Sequence, residues 1–139
     1  MMMNDVASSL VIEITKKFIT LMMDVEPHWE KAYLRFSCNS SAAEIKASFV
    51  SETGVEIIDV LKYKDFFQPV NMNGQELLAA LGKIKGVFLL VIDANFDYEI
   101  NFEYQDMNRW KISKGAVVDK VKYPSNPTVF RAVVLDSHS

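Results

Sequence analysis

A row of acidic side chains between Asp93 and Asp106 is the segment whose residue types and spacing could carry chemistry. Its five acids are Asp93, Asp97, Glu99, Glu103 and Asp106, and the segment contains no Lys or Arg. Alternate residues of an extended strand point to one face at steps of about 6.8 Å. The spacing therefore predicts that Asp97, Glu99 and Glu103 line one face of a strand. The residues predicted on the opposite face are Tyr98, Ile100, Phe102 and Tyr104.

Three roles are compatible with this carboxylate row. It could be a solvated sheet face, since runs of charge usually face water. It could hold paired catalytic carboxylates, which in glycosidases lie about 5 to 9 Å apart, although an open sheet face lacks the desolvated cleft that shifts a carboxyl pKa. It could bind a basic partner, because complementary charge accelerates association and rejects wrong partners.

The other reactive residue types have no partners at informative spacing. His28 and His138 have no local acid or nucleophile that would fix a catalytic geometry, and the five glycines form no phosphate-binding loop. Cys38 is the only cysteine, so neither an intramolecular disulfide nor a thiolate zinc cage is possible, and a reducing compartment is expected. Its strand position predicts a small core residue. We therefore predict no catalytic residue, no cofactor and no metal site.

Hydrophobic periodicity predicts the elements that position the acids. An amphipathic helix is predicted from Asp5 to near Asp24, because apolar residues recur there every three or four positions, at Val6, Leu10, Ile14, Phe18 and Leu21. Three alternating segments then predict an antiparallel meander, since parallel pairing would need longer crossovers. These segments are 32–38, 43–49 and 54–60.

A second helix and a hairpin are predicted in the rest of the chain. Helical spacing returns from Gly74 to Lys85, with Gly86 as the expected C-terminal cap, while 63–73, which contains Pro69, is expected to be irregular. A hairpin is predicted from two strands, 87–92 and 96–104, and a final strand from 128–135; the segment 107–122 is ambiguous.

The predicted fold is α+β: an antiparallel sheet of about five to six strands, with an N-terminal helix and a second helix packed on one face and the other face left to solvent. The 139 residues, 50% apolar and 24% charged, predict a single domain. The 15 basic and 18 acidic residues give a net charge of −3, which argues against direct nucleic-acid binding.

The longest apolar run, 87–92, is far shorter than the roughly 20 residues of a membrane-spanning helix. Glu13, Lys16 and Lys17 interrupt the apolar residues near the N-terminus, so no signal peptide is predicted. We expect a cytoplasmic protein with no membrane partner.

Two segments together resemble the YezG-type immunity family, small cytoplasmic proteins that neutralise the toxic C-terminal domains of bacterial polymorphic toxins. The run from Pro27 to Leu34, PHWEKAYL, is similar to the family's proline, tryptophan, lysine and tyrosine-leucine run entering its first strand. The run from Phe96 to Asp106, FDYEINFEYQD, is similar to its acidic and aromatic strand. The resemblance extends from Ile14 to about Asp106, and the chain departs from the family pattern after that.

Membership would imply no catalysis but a tight protein partner, a nuclease domain of a polymorphic or contact-dependent inhibition toxin, blocked by covering its active site or substrate surface. Fixed carboxylates could occupy its basic groove, so Asp97, Glu99 and Glu103 are the first candidates, followed by Asp93 and Asp106. Trp110, in a polar stretch, is preferred as an aromatic anchor over Tyr98 and Tyr104, which could equally pack in the core.

Two other classes of function remain open. A small acidic α+β protein could instead be a secretion chaperone or adaptor that holds an effector segment extended. An enzyme ranks third, because the sequence offers neither a nucleophile nor a cofactor site.

Overall fold

Two helices and eight strands form the part of the chain that the computed structural model describes, residues 4–113, 116–118 and 129–133. The helices are α1 (Asp5–Val25) and α2 (Lys64–Ala80). The strands are β1 (Trp29–Cys38), β2 (Ala43–Ser51), β3 (Gly54–Ile57), β4 (Gly86–Asp93), β5 (Asp97–Glu103), β6 (Lys111–Ser113), β7 (Ala116–Val118) and β8 (Val129–Val133).

The main sheet is antiparallel, with the strand order β3-β2-β1-β4-β5-β8. The predicted α+β fold with an N-terminal helix is confirmed, as are the β1-β2-β3 meander, the β4-β5 hairpin and a final strand at β8. β6 and β7 form a separate two-stranded antiparallel sheet within the segment that the sequence left ambiguous.

Helix α1 follows the predicted amphipathic pattern and ends at Val25. Asn4 caps it, because its Oδ1 accepts a hydrogen bond from the Ala7 backbone N–H at 2.8 Å. Ala7, Val11 and Ile14 begin the buried stripe, whereas Val6, at the start of the predicted stripe, is 62% exposed. The stripe faces the sheet, one residue out of phase with the prediction at the helix start.

Helix α2 begins ten residues before the predicted start, so the expectation of an irregular segment over 63–73 is wrong. Pro69 lies inside the helix and cannot donate to the carbonyl one turn earlier. Phe67 and Val70 flank it and are buried in the core. Burial of these side chains outweighs the lost hydrogen bond, which is a tertiary effect that local propensity does not report.

The expected Gly86 cap is also wrong. The helix ends at Ala80, and Gly82 adopts a left-handed φ of 74° while its N–H donates to the Ala79 carbonyl at 2.9 Å. Gly86 instead begins β4, where an added Cβ would lie 3.1 Å from the side chains of Leu78 and Tyr104.

The main core lies between the helices and one face of the sheet. Phe36, Phe88 and Phe102 stand side by side on β1, β4 and β5, with ring centroids 5.2 and 5.8 Å apart along the row. Cys38 also points to this face and packs against the core while remaining half-buried, as an inward strand position predicts.

The opposite face, which we call the outer face, carries Tyr33 and Arg35 of β1, Leu89 and Val91 of β4, and Glu99 of β5 in register. The expectation that this face is left to solvent is wrong. The chain after β5 folds back across it, and Trp110 packs with Val87 and Leu89 in a second, smaller cluster. The outer side of β4 is itself hydrophobic, and packing the following segment on it removes this apolar surface from water.

Candidate functional site

The acidic hairpin of β4 and β5 is the candidate site, and its turn is closed by one of the predicted acids. Asp93 Oδ1 accepts hydrogen bonds from the backbone N–H groups of Asn95 at 2.8 Å and Asp97 at 3.2 Å. Phe96 takes a left-handed φ of 66°, and Ala94 donates to the Glu30 carbonyl at the start of β1. The turn is thereby fixed to the neighbouring strand.

Asp97, Glu99 and Glu103 lie on the outer face, so the predicted alternation of β5 is found in the structure. Asp97 and Glu99 are half-buried beside the hairpin turn. Asn101 lies between Glu99 and Glu103 and donates from Nδ2 to Glu99 Oε2 at 3.1 Å. The row therefore runs along β5 from Asp97, beside the hairpin turn, to Glu103, beside the turn that follows the strand.

Glu103 forms internal bonds with both carboxylate oxygens. Oε1 accepts from Arg109 Nη1 at 3.0 Å, and Oε2 accepts from the backbone N–H groups of Gln105 and Asp106, each at 3.1 Å. Burial alone raises the pKa of Glu103, but these two N–H groups and Arg109 together bring the pKa below the usual glutamate range. Glu103 therefore has a structural role, because its hydrogen bonds fix the turn after β5.

Arg35, which sequence reasoning missed, anchors the same turn from β1. It is 3% exposed; its Nε donates to the Arg109 carbonyl at 2.8 Å and its Nη2 to the Met107 carbonyl at 2.7 Å. Nη1 lies 3.6 Å from Glu44 Oε1. Burial lowers the pKa of Arg35, and the charges of Glu44 and Asp106 partly oppose that shift. The sequence did offer one signal for this role, since Arg35 is a basic residue within the alternating pattern of β1.

Trp110 is buried, so the expectation that its polar neighbours place it on the surface is wrong. It is 4% exposed, with a left-handed φ of 60°. The Arg109 guanidinium lies 4.5 Å from the centroid of its ring, and the indole packs against Val87 and Leu89. Packing on the apolar outer side of β4 explains its position.

The two tyrosines belong to the helix face of the sheet. Tyr98 is 8% exposed, and burial raises its pKa. Tyr104 is half-buried and stacks on Phe102, with Lys83 Nζ 4.5 Å from its ring centroid.

Asp106 is half-buried and accepts a hydrogen bond from the Asn108 backbone N–H at 3.0 Å. The side chains of Tyr98, Tyr104 and Asp106 contribute to packing or to the turn after β5.

The predicted acids nearest the hairpin turn are half-buried and lie together at that end of the row: Asp93, Asp97 and Glu99. Together with Lys31 they line a shallow depression of about 80 Å³. Small-molecule sites usually occupy roughly 300 to 1,000 Å³. The shape suits a contact with another macromolecule better than the enclosure of a substrate.

A larger open groove of about 1090 Å³ lies on the helix side, between α1 and the start of α2. Its charged lining residues are Lys16, Lys17, Asp24, Lys62 and Asp65. Among the residues with described positions, no group of three His, Cys, Asp or Glu side chains is placed to hold a metal ion. Neither helix of the described chain is long and apolar enough to cross a membrane.

No model of a known protein family matches the chain, and a search of curated proteins finds no significant match.

Proposed function

We propose that this protein is an immunity protein: a non-enzymatic inhibitor that binds the toxic, nuclease-like C-terminal domain of a cognate bacterial toxin and covers its active site or substrate surface. The observation that carries the proposal is the acidic end of the β4-β5 hairpin, where Asp93 closes the turn through its side chain and Asp97 and Glu99 follow on the outer face of β5. The family resemblance of this segment supplies the class of partner.

The physical basis is electrostatic complementarity with a phosphate-binding surface. A nuclease domain attracts nucleic acid through clustered Lys and Arg side chains, and fixed carboxylates can occupy the same positive groove. Pre-ordered acids lose less conformational entropy on binding than acids on a loose loop. Asp97 and Glu99 are half-buried, and the Asn101 amide holds the Glu99 carboxylate at 3.1 Å, so this side chain is partly ordered before a partner binds.

The first experiment identifies the partner. Tagged protein is recovered from its native cells at low salt, and bound proteins are identified by mass spectrometry, because low salt preserves charge-steered contacts. We expect one folded toxin domain whose killing is relieved by adding this protein back. Recovery of an unfolded secreted effector would favour the chaperone class instead, and recovery of no partner would contradict the proposal.

The second experiment tests the site. The double variant Asp97→Lys, Glu99→Lys should lose protection against the recovered toxin, while Glu103 is left intact because its internal bonds support the fold. The control is Asp24→Lys, Glu76→Lys, which makes the same change in net charge at exposed positions on the helices. Protection retained by the first variant would exclude the hairpin as the contact.

A further inference from the structure

The edge of the sheet at β3 carries features that the acidic hairpin does not explain. β3 is the outermost strand on that side and pairs only with β2 among the described strands. All four of its residues are exposed. Val55 and Ile57 are 42% and 51% exposed, and Leu61, four residues beyond the end of the strand, is 83% exposed. Exposed apolar side chains concentrated on a sheet edge mark an interaction surface.

The hydrogen-bond register shows which backbone groups are open. Ile58 donates to the Ala47 carbonyl at 2.9 Å, and the antiparallel register pairs Glu56 with Phe49. Hydrogen-bonded residues alternate along an antiparallel strand, so Glu56 and Ile58 face β2. The N–H and C=O groups of Val55 and Ile57 therefore point away from the sheet, toward the open edge.

The acidic residues around this edge favour a basic partner segment. Glu52, Glu56 and Asp59 are exposed, and residues 47–61 contain no Lys or Arg. A second copy of the chain is disfavoured in the register centred on Glu56, because that two-fold pairing would place two glutamates directly opposite each other. A basic side chain at that position is attracted instead.

We propose that the open edge of β3 accepts an extended, basic segment of a partner protein as an added strand. The backbone of that segment bonds to Val55 and Ile57, and its side chains alternate so that a Lys or Arg lies opposite Glu56 while apolar residues lie beside Val55 and Ile57. This site lies on the opposite edge of the sheet from β5 and β8, and it is independent of the immunity role.

The probe is a short capped peptide of alternating valine and lysine, titrated into the full-length, ¹⁵N-labelled protein. We expect amide shifts confined to β2, β3 and the residues that join them. The sharper measurement is hydrogen exchange: the peptide should slow exchange of the Val55 and Ile57 amides. The Ile58 amide, which already donates to Ala47, serves as the internal control and should change little.

Two variants separate backbone pairing from charge. Ile57→Pro removes an edge N–H that makes no bond to β2, a position where proline is tolerated in a sheet. Glu56→Lys reverses the central charge. Each should weaken peptide binding by up to roughly tenfold, since one lost hydrogen bond, or one attractive charge pair made repulsive, contributes at most about that factor. Ile84→Ser, at an 86% exposed apolar residue elsewhere, and Glu76→Lys are the matched controls and should leave binding unchanged.

Four outcomes would overturn the proposal. In the first two, a peptide N-methylated on alternate residues, or a valine-glutamate peptide, binds as tightly as the valine-lysine probe. In the third, the amide shifts are centred on the helices. In the fourth, no amide shifts at the solubility limit of the probe. Dimerisation of the free chain through β3, detected by sedimentation and abolished by Ile57→Pro, would assign the edge to a second copy and overturn it as well. Circular dichroism of each variant establishes that the fold is retained.

Discussion

Arg35 donates from its Nε to the backbone carbonyl of Arg109 at 2.8 Å, across 74 positions of sequence and inside a buried part of the outer face. The guanidinium of Arg109 in turn pairs with Glu103 at 3.0 Å. One arginine therefore holds the main chain of the covering segment, and the other holds its preceding turn. This arrangement holds the segment that contains Trp110 against the outer side of β4.

Replacement of Arg35 should test the importance of this bond. We expect Arg35→Leu to lower the free energy of unfolding by about 3 kcal/mol, because the carbonyls of Met107 and Arg109 lose a charged donor in a buried site. Urea unfolding followed by circular dichroism measures the change. Lys46→Ala, at the exposed cross-strand neighbour of Arg35, should stay within about 0.5 kcal/mol of the wild type. Equal losses of unfolding free energy in the two variants would contradict a stabilising role for the hydrogen bonds from Arg35 to these carbonyls.

The lowered pKa of Glu103 predicts a particular dependence of stability on pH. A carboxyl group whose pKa is lower in the folded state stabilises the fold above its unfolded pKa, and that contribution is lost as pH falls through its folded pKa. Wild type should therefore exceed Glu103→Gln in unfolding free energy at about pH 7, and the gap should narrow toward about pH 3. Glu52→Gln, at an exposed position, is the comparison and should change stability little. A gap that widens in acid would show that the sign is wrong.

Gly74 allows α2 to approach β1 closely. A Cβ added there would lie 2.8 Å from the Phe36 ring, which is fully buried and stacked on Phe88. We expect Gly74→Ala to destabilise the protein by about 1–3 kcal/mol despite the better helix propensity of alanine, because overpacking dominates. Thermal unfolding measures the loss. In a Phe36→Leu background the same substitution should cost less, and an equal cost would contradict the steric explanation.

Tryptophan fluorescence can test the buried position of Trp110. The chain contains two tryptophans, and Trp29→Phe leaves Trp110 as the only source of tryptophan emission. We expect its emission to be blue-shifted and weakly quenched by acrylamide, since the indole is packed on Val87 and Leu89. Red-shifted, strongly quenched emission in the folded variant would instead support an exposed anchor.

The sidedness of the sheet could be predicted from the sequence because a strand's period is two. The alternation of β5 places Asp97, Glu99 and Glu103 on one face whatever packs against the strand, and the 3.6-residue period of α1 similarly predicts a helix with one buried side. Short polar turns between alternating segments predict antiparallel neighbours for the same local reason. These features depend only on nearby residues.

The tertiary structure alone decided which member of the acidic row is bonded into the turn after β5. Glu103 is turned inward by Arg109 and the turn after β5, and Trp110 is buried because the outer side of β4 is apolar. Pro69 remains inside a helix because its neighbours enter the core. Each outcome depends on contacts between distant residues or on total buried area, quantities that a local period does not contain.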